Sequence, residues 1–277
     1  MFDGLRVLRS PCQLRSTLQS WRAVGEKVAL IPVFGPVHEG HLDLLRAGQQ
    51  ARARVVACLL TPSGSALPRD LHADRVLLDA AQIDAAIAPK TERFRPDGHR
   101  TRLRMGGLTD VLCGAVEQGC FDFAVLMTLR LINQTRADLV LLSEAQWQLC
   151  VILSQLVGDL DLGTQISIEP ALRQDDGVAC SAELKALPAP RRAAAVRFAQ
   201  ILADTARTIR HGGDPARCCR DAAERLDEAG IDGIDYLEIR HAGTLSRVHD
   251  LVLGGPARLF GAVRIDGIRL IDNRPVV

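Results

Sequence analysis

Two histidines bracket a glutamate and a glycine in His38-Glu39-Gly40-His41, and these are the residues best suited to chemistry. They follow the apolar run 28–31, which breaks at Pro32, and they precede the leucine-spaced segment 42–50. A glycine lets a backbone approach closely, and a helix N-terminus offers N–H groups and partial positive charge to phosphates. Imidazoles can donate hydrogen bonds to phosphoryl oxygens whose charge grows during nucleotidyl transfer. The order of strand, loop and helix therefore favours a nucleotide site over two surface histidines in a turn.

Composition excludes several classes of protein. The chain has 277 residues, which suits one large or two ordinary domains, and 47% of them are hydrophobic. The formal net charge is only +1, with arginines scattered among acids, so we expect no nucleic-acid partner. No apolar stretch approaches the ~20 residues of a membrane-spanning helix, and we expect neither a membrane span nor a secretory signal.

The cysteines are expected to be free thiols. Eight cysteines in a chain of this length, with no Cys-x-x-Cys pair, suggest neither a disulfide framework nor a zinc site. We therefore expect buried thiols, no protein-bound metal and a reducing, cytoplasmic setting.

Short apolar runs alternate with helical patterns through residues 1–170, which predicts a parallel sheet covered by helices on both faces. The predicted strands are 28–31, 55–60, 84–88, 138–142 and 165–168, and the predicted helices are 42–53, 70–81, 121–134 and 146–157. After a hinge at 170–177 we predict a smaller α+β domain. Its elements are a helix from the prolines at 188–190 to about 211, a helix capped at 214–215, a strand at 236–240 and a hairpin at 263–270.

Several motifs resemble those of one family. They are Pro32-Val33-Phe34-Gly35 before the histidines, Thr61-Pro62, Ala88-Pro89 with Pro96-Asp97-Gly98, Asp176-Gly177-Val178-Ala179 and Arg269-Leu270-Ile271-Asp272-Asn273. Together they resemble the pantothenate synthetases, the pantoate–β-alanine ligases of the nucleotidylyltransferase superfamily, over nearly the whole chain. The resemblance implies an α/β fold with a Rossmann-like domain of the His-x-Gly-His type at 1–170, and a small α+β lid domain at 171–277.

The resemblance also implies a reaction and its participants. ATP, with Mg²⁺, activates a small carboxylic acid, which is pantoate in the family, to an acyl adenylate, and an amine, which is β-alanine in the family, then displaces AMP. Catalysis is implied for His38 and His41, and a homodimer is implied as the assembly. The implied cofactor-binding positions are Phe34, Gly35, His38, Gly40, His41, Ser143, Gln146, Leu172 and Ser181, and the implied substrate-binding positions are Thr61, Gly64, Gln148 and Leu149.

Other positions depart from the family pattern. Family glutamines that hold pantoate align with Gly64 and Leu149, and a lysine that meets ATP phosphates aligns with Ala145. The Ser-Ser-Arg of a phosphate-binding loop becomes Ser-Ala-Glu at 181–183. Each buried group left unpaired costs about 1–3 kcal/mol, and each lost preorganised donor costs ~3 kcal/mol in a transition state. These departures predict slow adenylation of pantoate.

Three functions remain open. The leading one is an ATP-dependent acid–amine ligase with a changed substrate pair. The second is a catalytically impaired relative that keeps a nucleotide or metabolite pocket, and the third is an enzyme that transforms acyl or amide groups without ATP. Cations that could compensate for the altered positions are Arg130, Arg136, Arg173, Lys185, Arg191 and Arg192.

Overall fold

The computed structural model describes residues 6–8, 11–61, 69–88, 100–248 and 255–276. The chain divides into two compact units. The first contains residues 1–105, 119–144 and 152–170, and the second contains 106–118, 145–151 and 171–277. Two short segments that precede residue 170 therefore belong to the second unit, while the role of that unit as a lid stays a prediction.

A parallel sheet of six strands lies at the centre of the first unit. The strands are β1 (Arg6–Leu8), β2 (Lys27–Phe34), β3 (Ala53–Leu60), β4 (Ala85–Ile87), β5 (Leu139–Ser143) and β6 (Gln165–Glu169). Their order is β1-β4-β3-β2-β5-β6, and every pairing is parallel. From β2 the chain builds outward through β3 and β4, and then it returns to the other side of β2 to form β5 and β6. The sheet thus has a topological switch point between β2 and β5, which is where open α/β sheets bind ligands.

The α-helices of the described ranges are α1 (Pro11–Ala23), α2 (Glu39–Gln50), α3 (Leu71–Ala80), α4 (Cys113–Val116), α5 (Cys120–Thr135), α6 (Trp147–Asp159), α7 (Ala182–Ala186), α8 (Arg192–Arg210) and α9 (Pro215–Glu228). Six of these match predicted helices closely, whereas α1, α4 and α7 have no predicted counterpart. The predicted cap of α9 is present, because the Asp214 carboxylate accepts from its first turn, and the Asp70 carboxylate caps α3 in the same way. Among the described helices, none combines the length and apolar character needed to cross a bilayer.

Strand β2, the first of the predicted strands, is longer than the sequence predicts. The sequence predicts that it ends before Pro32, but β2 continues to Phe34. β2 pairs with β5 only at residues 29–30. Because N–H groups alternate in direction along a strand and Gly35 donates to Leu60 of β3, position 32 faces the β5 side, beyond that pairing. Proline has no N–H to donate on that side, and β2 extends to the carboxyl edge of the sheet through its pairing with β3, which runs from residue 27 to residue 34.

The sequence patterns do not single out α1. Its buried side chains are Leu14, Thr17, Leu18 and Trp21. They recur at the three- and four-residue spacing of one helix face, so the signal is present in the sequence.

A three-stranded antiparallel sheet forms part of the second unit. Its strands β7 (Gly233–His241), β8 (Ala257–Ile265) and β9 (Ile268–Pro275) lie in chain order. Apolar side chains of α8, such as Phe198 and Leu202, form one core cluster with residues of β8 such as Val263. The predicted hairpin turns at 266–267, where both residues have positive φ, 56° and 77°, as a type I′ turn requires. The predicted class, α/β with a smaller α+β part, is confirmed.

Candidate active site

The loop after β2 brings His38 to the N-cap of α2. Its backbone is extended (φ −142°, ψ 173°), and its Nδ1 accepts a hydrogen bond from the Gly40 N–H at 3.2 Å. In return, Nδ1 of His41 accepts from the His38 N–H at 3.3 Å. The two histidines therefore form a reciprocal capping box, in which imidazoles take the places usually held by Ser or Thr and Glu or Gln.

The capping box determines which ring nitrogen carries the proton. Because Nδ1 of each ring accepts a hydrogen bond, a neutral ring must carry its proton on Nε2. The ring centroids of His38 and His41 lie 3.9 Å apart, and His41 is only 8% exposed. The helix start thus holds two Nε2–H donors beside the positive end of its own dipole. Donors of this kind suit the oxygens of a phosphoryl group.

Backbone conformation explains the glycine before the histidines. Gly35 has φ +89°, and a Cβ at this position would meet no atom within 4 Å. The residue is therefore needed for a conformation that L-residues avoid rather than for space. Gly40 differs, because it lies inside the first turn of α2 and contributes its N–H to the cap.

Two buried residues that the sequence patterns do not single out, Arg69 and Asp74, contact this loop. Their side chains are 4% and 3% exposed, and Nη1 of Arg69 lies 2.5 Å from Oδ2 of Asp74. Burial lowers the pKa of Arg69, and the neighbouring Asp74 carboxylate opposes that shift. The sequence does contain an indication of this ion pair. Asp74 shares a helix face with buried Leu78, and an acid on an apolar helix face indicates a buried partner.

The switch point gathers several predicted residues at one edge of the first unit. β2 and β5 are parallel neighbours, so the Phe34–Gly35 end of one and Ser143 at the end of the other lie at the same edge. Thr61 follows β3 at this edge, where its Oγ1 accepts a hydrogen bond from Nε of Arg69 at 3.2 Å. Gly64 lies outside the described residues.

The predicted substrate position Gln148 is buried in the second unit and binds backbone. Its Oε1 accepts from the Cys113 N–H at 3.1 Å, and its Nε2 donates to the carbonyls of Leu108 and Val111 at 2.9 and 2.8 Å. Both amide hydrogens are thus engaged in holding the segment 106–118 to α6. Gln148 therefore enters our proposal as a structural residue.

The remaining predicted positions of the second unit differ in their exposure and in their hydrogen bonds. Gln146 is exposed, whereas Leu149 is buried. The Leu172 carbonyl accepts from the Cys180 N–H at 2.9 Å. The Ser181 hydroxyl caps α7 by accepting from the Leu184 N–H at 3.1 Å.

Three of the candidate compensating cations bind carboxylates within the second unit. Arg173 makes a two-pronged contact with Asp272, with both N···O distances 2.8 Å. The other two pairs are Arg191 with Asp232 and Arg192 with Asp176. None of these three guanidiniums is a ready replacement for the arginine of the altered loop.

Metal ligands are not clustered in the part of the chain that the structure describes. There, no group of three or more His, Cys, Asp or Glu side chains could hold an ion. Mg²⁺ in nucleotide enzymes is commonly held by substrate phosphates with one or two carboxylates, so no cluster is required for it. All eight cysteines, each within the described ranges, are thiols.

The fold and the site together define a Rossmann-like α/β protein with a histidine-capped helix at the switch point of its sheet. The family model described as Pantoate-beta-alanine ligase matches residues 6–275. The chain belongs to the pantoate–beta-alanine ligase family, which confirms the resemblance seen in its motifs.

Individual relatives match over nearly their whole length. The pantothenate synthetase of Paracoccus denitrificans (strain Pd 1222) is 35% identical over 275 residues, which cover 96% of each chain. The crystal structure of pantothenate synthetase from Thermus thermophilus has a TM-score of 0.89 and 30% identity, and it covers 98% of this chain and 99% of that one. The pantoate-beta-alanine ligase of Francisella tularensis, complexed with beta-gamma ATP and beta-alanine, shares the fold at a TM-score of 0.82, with 21% identity and 98% of each chain covered.

Proposed function

We propose that this chain is an ATP-dependent ligase that adenylates a small carboxylic acid and joins it to an amine. The observation that carries the proposal is the reciprocal capping of His38 and His41, which fixes two Nε2–H donors at the start of α2. Family membership supports the ligase class, since the relatives of similar length are pantothenate synthetases.

The donors would act as charge moves during adenylation. A carboxylate oxygen of the acid attacks the α-phosphorus of ATP, and the bond to the pyrophosphate leaving group breaks. The Nε2–H groups of His38 and His41 donate to phosphoryl oxygens as their negative charge grows, which stabilises the transition state more than the ground state. An amine nitrogen then attacks the acyl carbon, AMP leaves with the bridging oxygen, and the nitrogen loses a proton. Mg²⁺ bound to ATP would supply further neutralisation of phosphate charge.

We propose further that the acid is less polar than pantoate. Leu149, where the family alignment expects a glutamine, is buried and apolar. Its neighbour Gln148 cannot substitute, because both of its amide hydrogens bind backbone carbonyls. A pocket without these amide groups favours an acid that has fewer hydroxyls to satisfy.

A second candidate function is nucleotide binding without ligation. The observation in its favour is that Arg173, Arg191 and Arg192 are each paired with a carboxylate, so none of them offsets Glu183 in the altered loop. A homodimer, a cytoplasmic setting and the absence of a nucleic-acid partner stay predictions.

Exchange of radiolabelled pyrophosphate into ATP, measured across a panel of carboxylic acids that includes pantoate, tests these proposals. We expect exchange with at least one acid and a loss of at least about 100-fold in His41→Ala. Leu149→Gln should raise exchange with pantoate relative to the preferred acid.

Each outcome of this experiment selects one function. Fastest exchange with pantoate in the unmodified protein would overturn the changed substrate and leave the ligase. A thermal shift with ATP but no exchange would favour the second candidate. Absence of both would contradict the ligase, since a ligand at 100 times its dissociation constant stabilises a protein by about 2.7 kcal/mol.

A further inference from the structure

We infer that the buried Arg69–Asp74 ion pair is the positioning device of the active site, because it fixes the loop 35–37 and thereby the orientation of His38 and His41. The inference deepens the proposed function and rests on it for its catalytic meaning. Both residues act through the loop, so they are positioning residues rather than catalytic ones.

One guanidinium joins the carboxyl ends of two neighbouring strands. Nη2 of Arg69 donates to the carbonyls of Val33 and Leu60, both at 3.0 Å, and also to the carbonyl of Gly35. Its Nε donates to Oγ1 of Thr61 at 3.2 Å. Arg69 therefore holds β2, the loop that leaves it and the end of β3 in one arrangement.

The carboxylate of Asp74 completes the connection to the histidines. Its Oδ2 binds Arg69, and its Oδ1 accepts from the Val37 N–H at 2.7 Å. Val37 is buried and directly precedes His38, the N-cap of α2. The pair thus fixes the last backbone N–H before the capping box, while α3 anchors the carboxylate.

Stability alone does not explain a charge pair at this depth. Burying two charges is costly, and replacing a buried ion pair by apolar residues of similar size is often neutral or stabilising. What the pair supplies is a guanidinium with five N–H donors in one fixed plane, whereas an ammonium has three donors around a single nitrogen and an apolar side chain has none. The specific gain is a fixed loop beside the histidines.

The opposite edge of the same sheet offers a matched control. Arg54 is the second residue of β3, and its Nε and Nη1 donate to the carboxylates of Glu26 and Asp84, respectively, both at 2.6 Å. Its side chain is 41% exposed and lies at the amino ends of the strands, away from the loop 35–37. Arg54→Met removes an arginine–carboxylate cluster of the first unit without touching the candidate site.

The test compares the double variant Arg69→Met/Asp74→Asn with Arg54→Met by nitrogen NMR of the imidazoles. The double variant removes both charges together and keeps an acceptor for the Val37 N–H. We expect His38 and His41 to be Nε2–H tautomers in the unmodified protein and in Arg54→Met, and to become tautomer mixtures in the double variant.

A histidine of the second unit serves as an internal reference. Nδ1 of His241 accepts from the N–H groups of Gly243 and Thr244 at 3.1 and 3.0 Å. Its Nε2–H tautomer should be the same in all three proteins. A change at His241 together with the others would show that the double variant has lost its structure generally, and the comparison would then be made with Arg69→Lys.

ATP binding, measured by calorimetry, gives the functional readout. We expect the dissociation constant of ATP to rise at least tenfold in the double variant and to stay within twofold in Arg54→Met. A folded double variant with unmodified tautomers of His38 and His41 overturns the inference. If the double variant does not fold, Arg69→Lys takes its place in both measurements, since it keeps the charge but loses the planar donors. If the unmodified protein binds no ATP, the proposed function fails, while the tautomers still decide the positioning role.

Discussion

Replacing His38 by asparagine separates the two roles of its imidazole. Nδ1 caps α2 through the Gly40 N–H at 3.2 Å, while Nε2–H is the proposed donor to phosphate. Asparagine is among the best N-cap residues, but its short side chain has no group at the position of Nε2. We therefore expect His38→Asn to unfold with a free energy within about 0.5 kcal/mol of the unmodified protein, whereas His38→Ala should lose about 1 kcal/mol.

The two variants should lose activity equally. One preorganised donor to a developing oxyanion contributes about 2.7–4 kcal/mol to the transition state, which corresponds to about 10²–10³-fold in kcat. Pyrophosphate exchange and urea unfolding, measured on the same preparations, give both quantities. His72→Asn, at an exposed position of α3, is the matched control and should change neither.

Two results would refute this reasoning. If His38→Asn keeps more than about a tenth of the exchange rate, Nε2 contributes less than one preorganised donor. If His38→Asn is destabilised as much as His38→Ala, Nδ1 does not act as the helix cap.

Three further predictions concern the scaffold. Gly35→Ala should destabilise the protein by about 1–2 kcal/mol in urea unfolding, because φ +89° rather than crowding is the constraint, and an unchanged midpoint would contradict this. Gln148→Leu should cost at least about 3 kcal/mol in the same assay, since three hydrogen bonds to buried backbone are lost, and a cost under about 1 kcal/mol would deny it a structural role. Burial alone would raise the pKa of Asp235, but hydrogen bonds from Arg269 and Arg264 lower it overall, so its stabilisation is present above the usual carboxyl range and is lost as pH falls. Asp235→Asn should therefore cost about 1.5 kcal/mol near neutral pH and progressively less in acid, and a cost independent of pH would contradict the ion pairs.

Local patterns in the sequence account for the elements that carry the histidines. The apolar run at 55–60 predicts β3, and the leucine spacing after His41 predicts α2, because strand and helix periodicities are properties of neighbouring residues. The position of the histidines at the helix start is predictable for the same reason. Their mutual hydrogen bonds are not, since imidazoles at both positions of a capping box are unusual.

The sequence alone does not predict contacts between residues that are far apart in the chain. Gln148 binds backbone 35 to 40 residues earlier in the chain, so its spacing from Gln146 gives no sign of a structural role. Asp74 likewise meets the Val37 N–H across 37 residues, and only the sheet brings the two together. β2 passes Pro32 because its pairing with β3 continues to Phe34, which depends on the register of another strand.

Transfer of oxygen from the acid to AMP tests the central claim most directly. The acid that supports exchange is labelled with ¹⁸O in its carboxylate and incubated with ATP, an amine and the protein, and the AMP formed is examined by mass spectrometry. Acyl-adenylate formation predicts AMP that carries one ¹⁸O, because the bridging oxygen leaves with the phosphate. Amide product formed with unlabelled AMP, or with no AMP at all, would contradict the account.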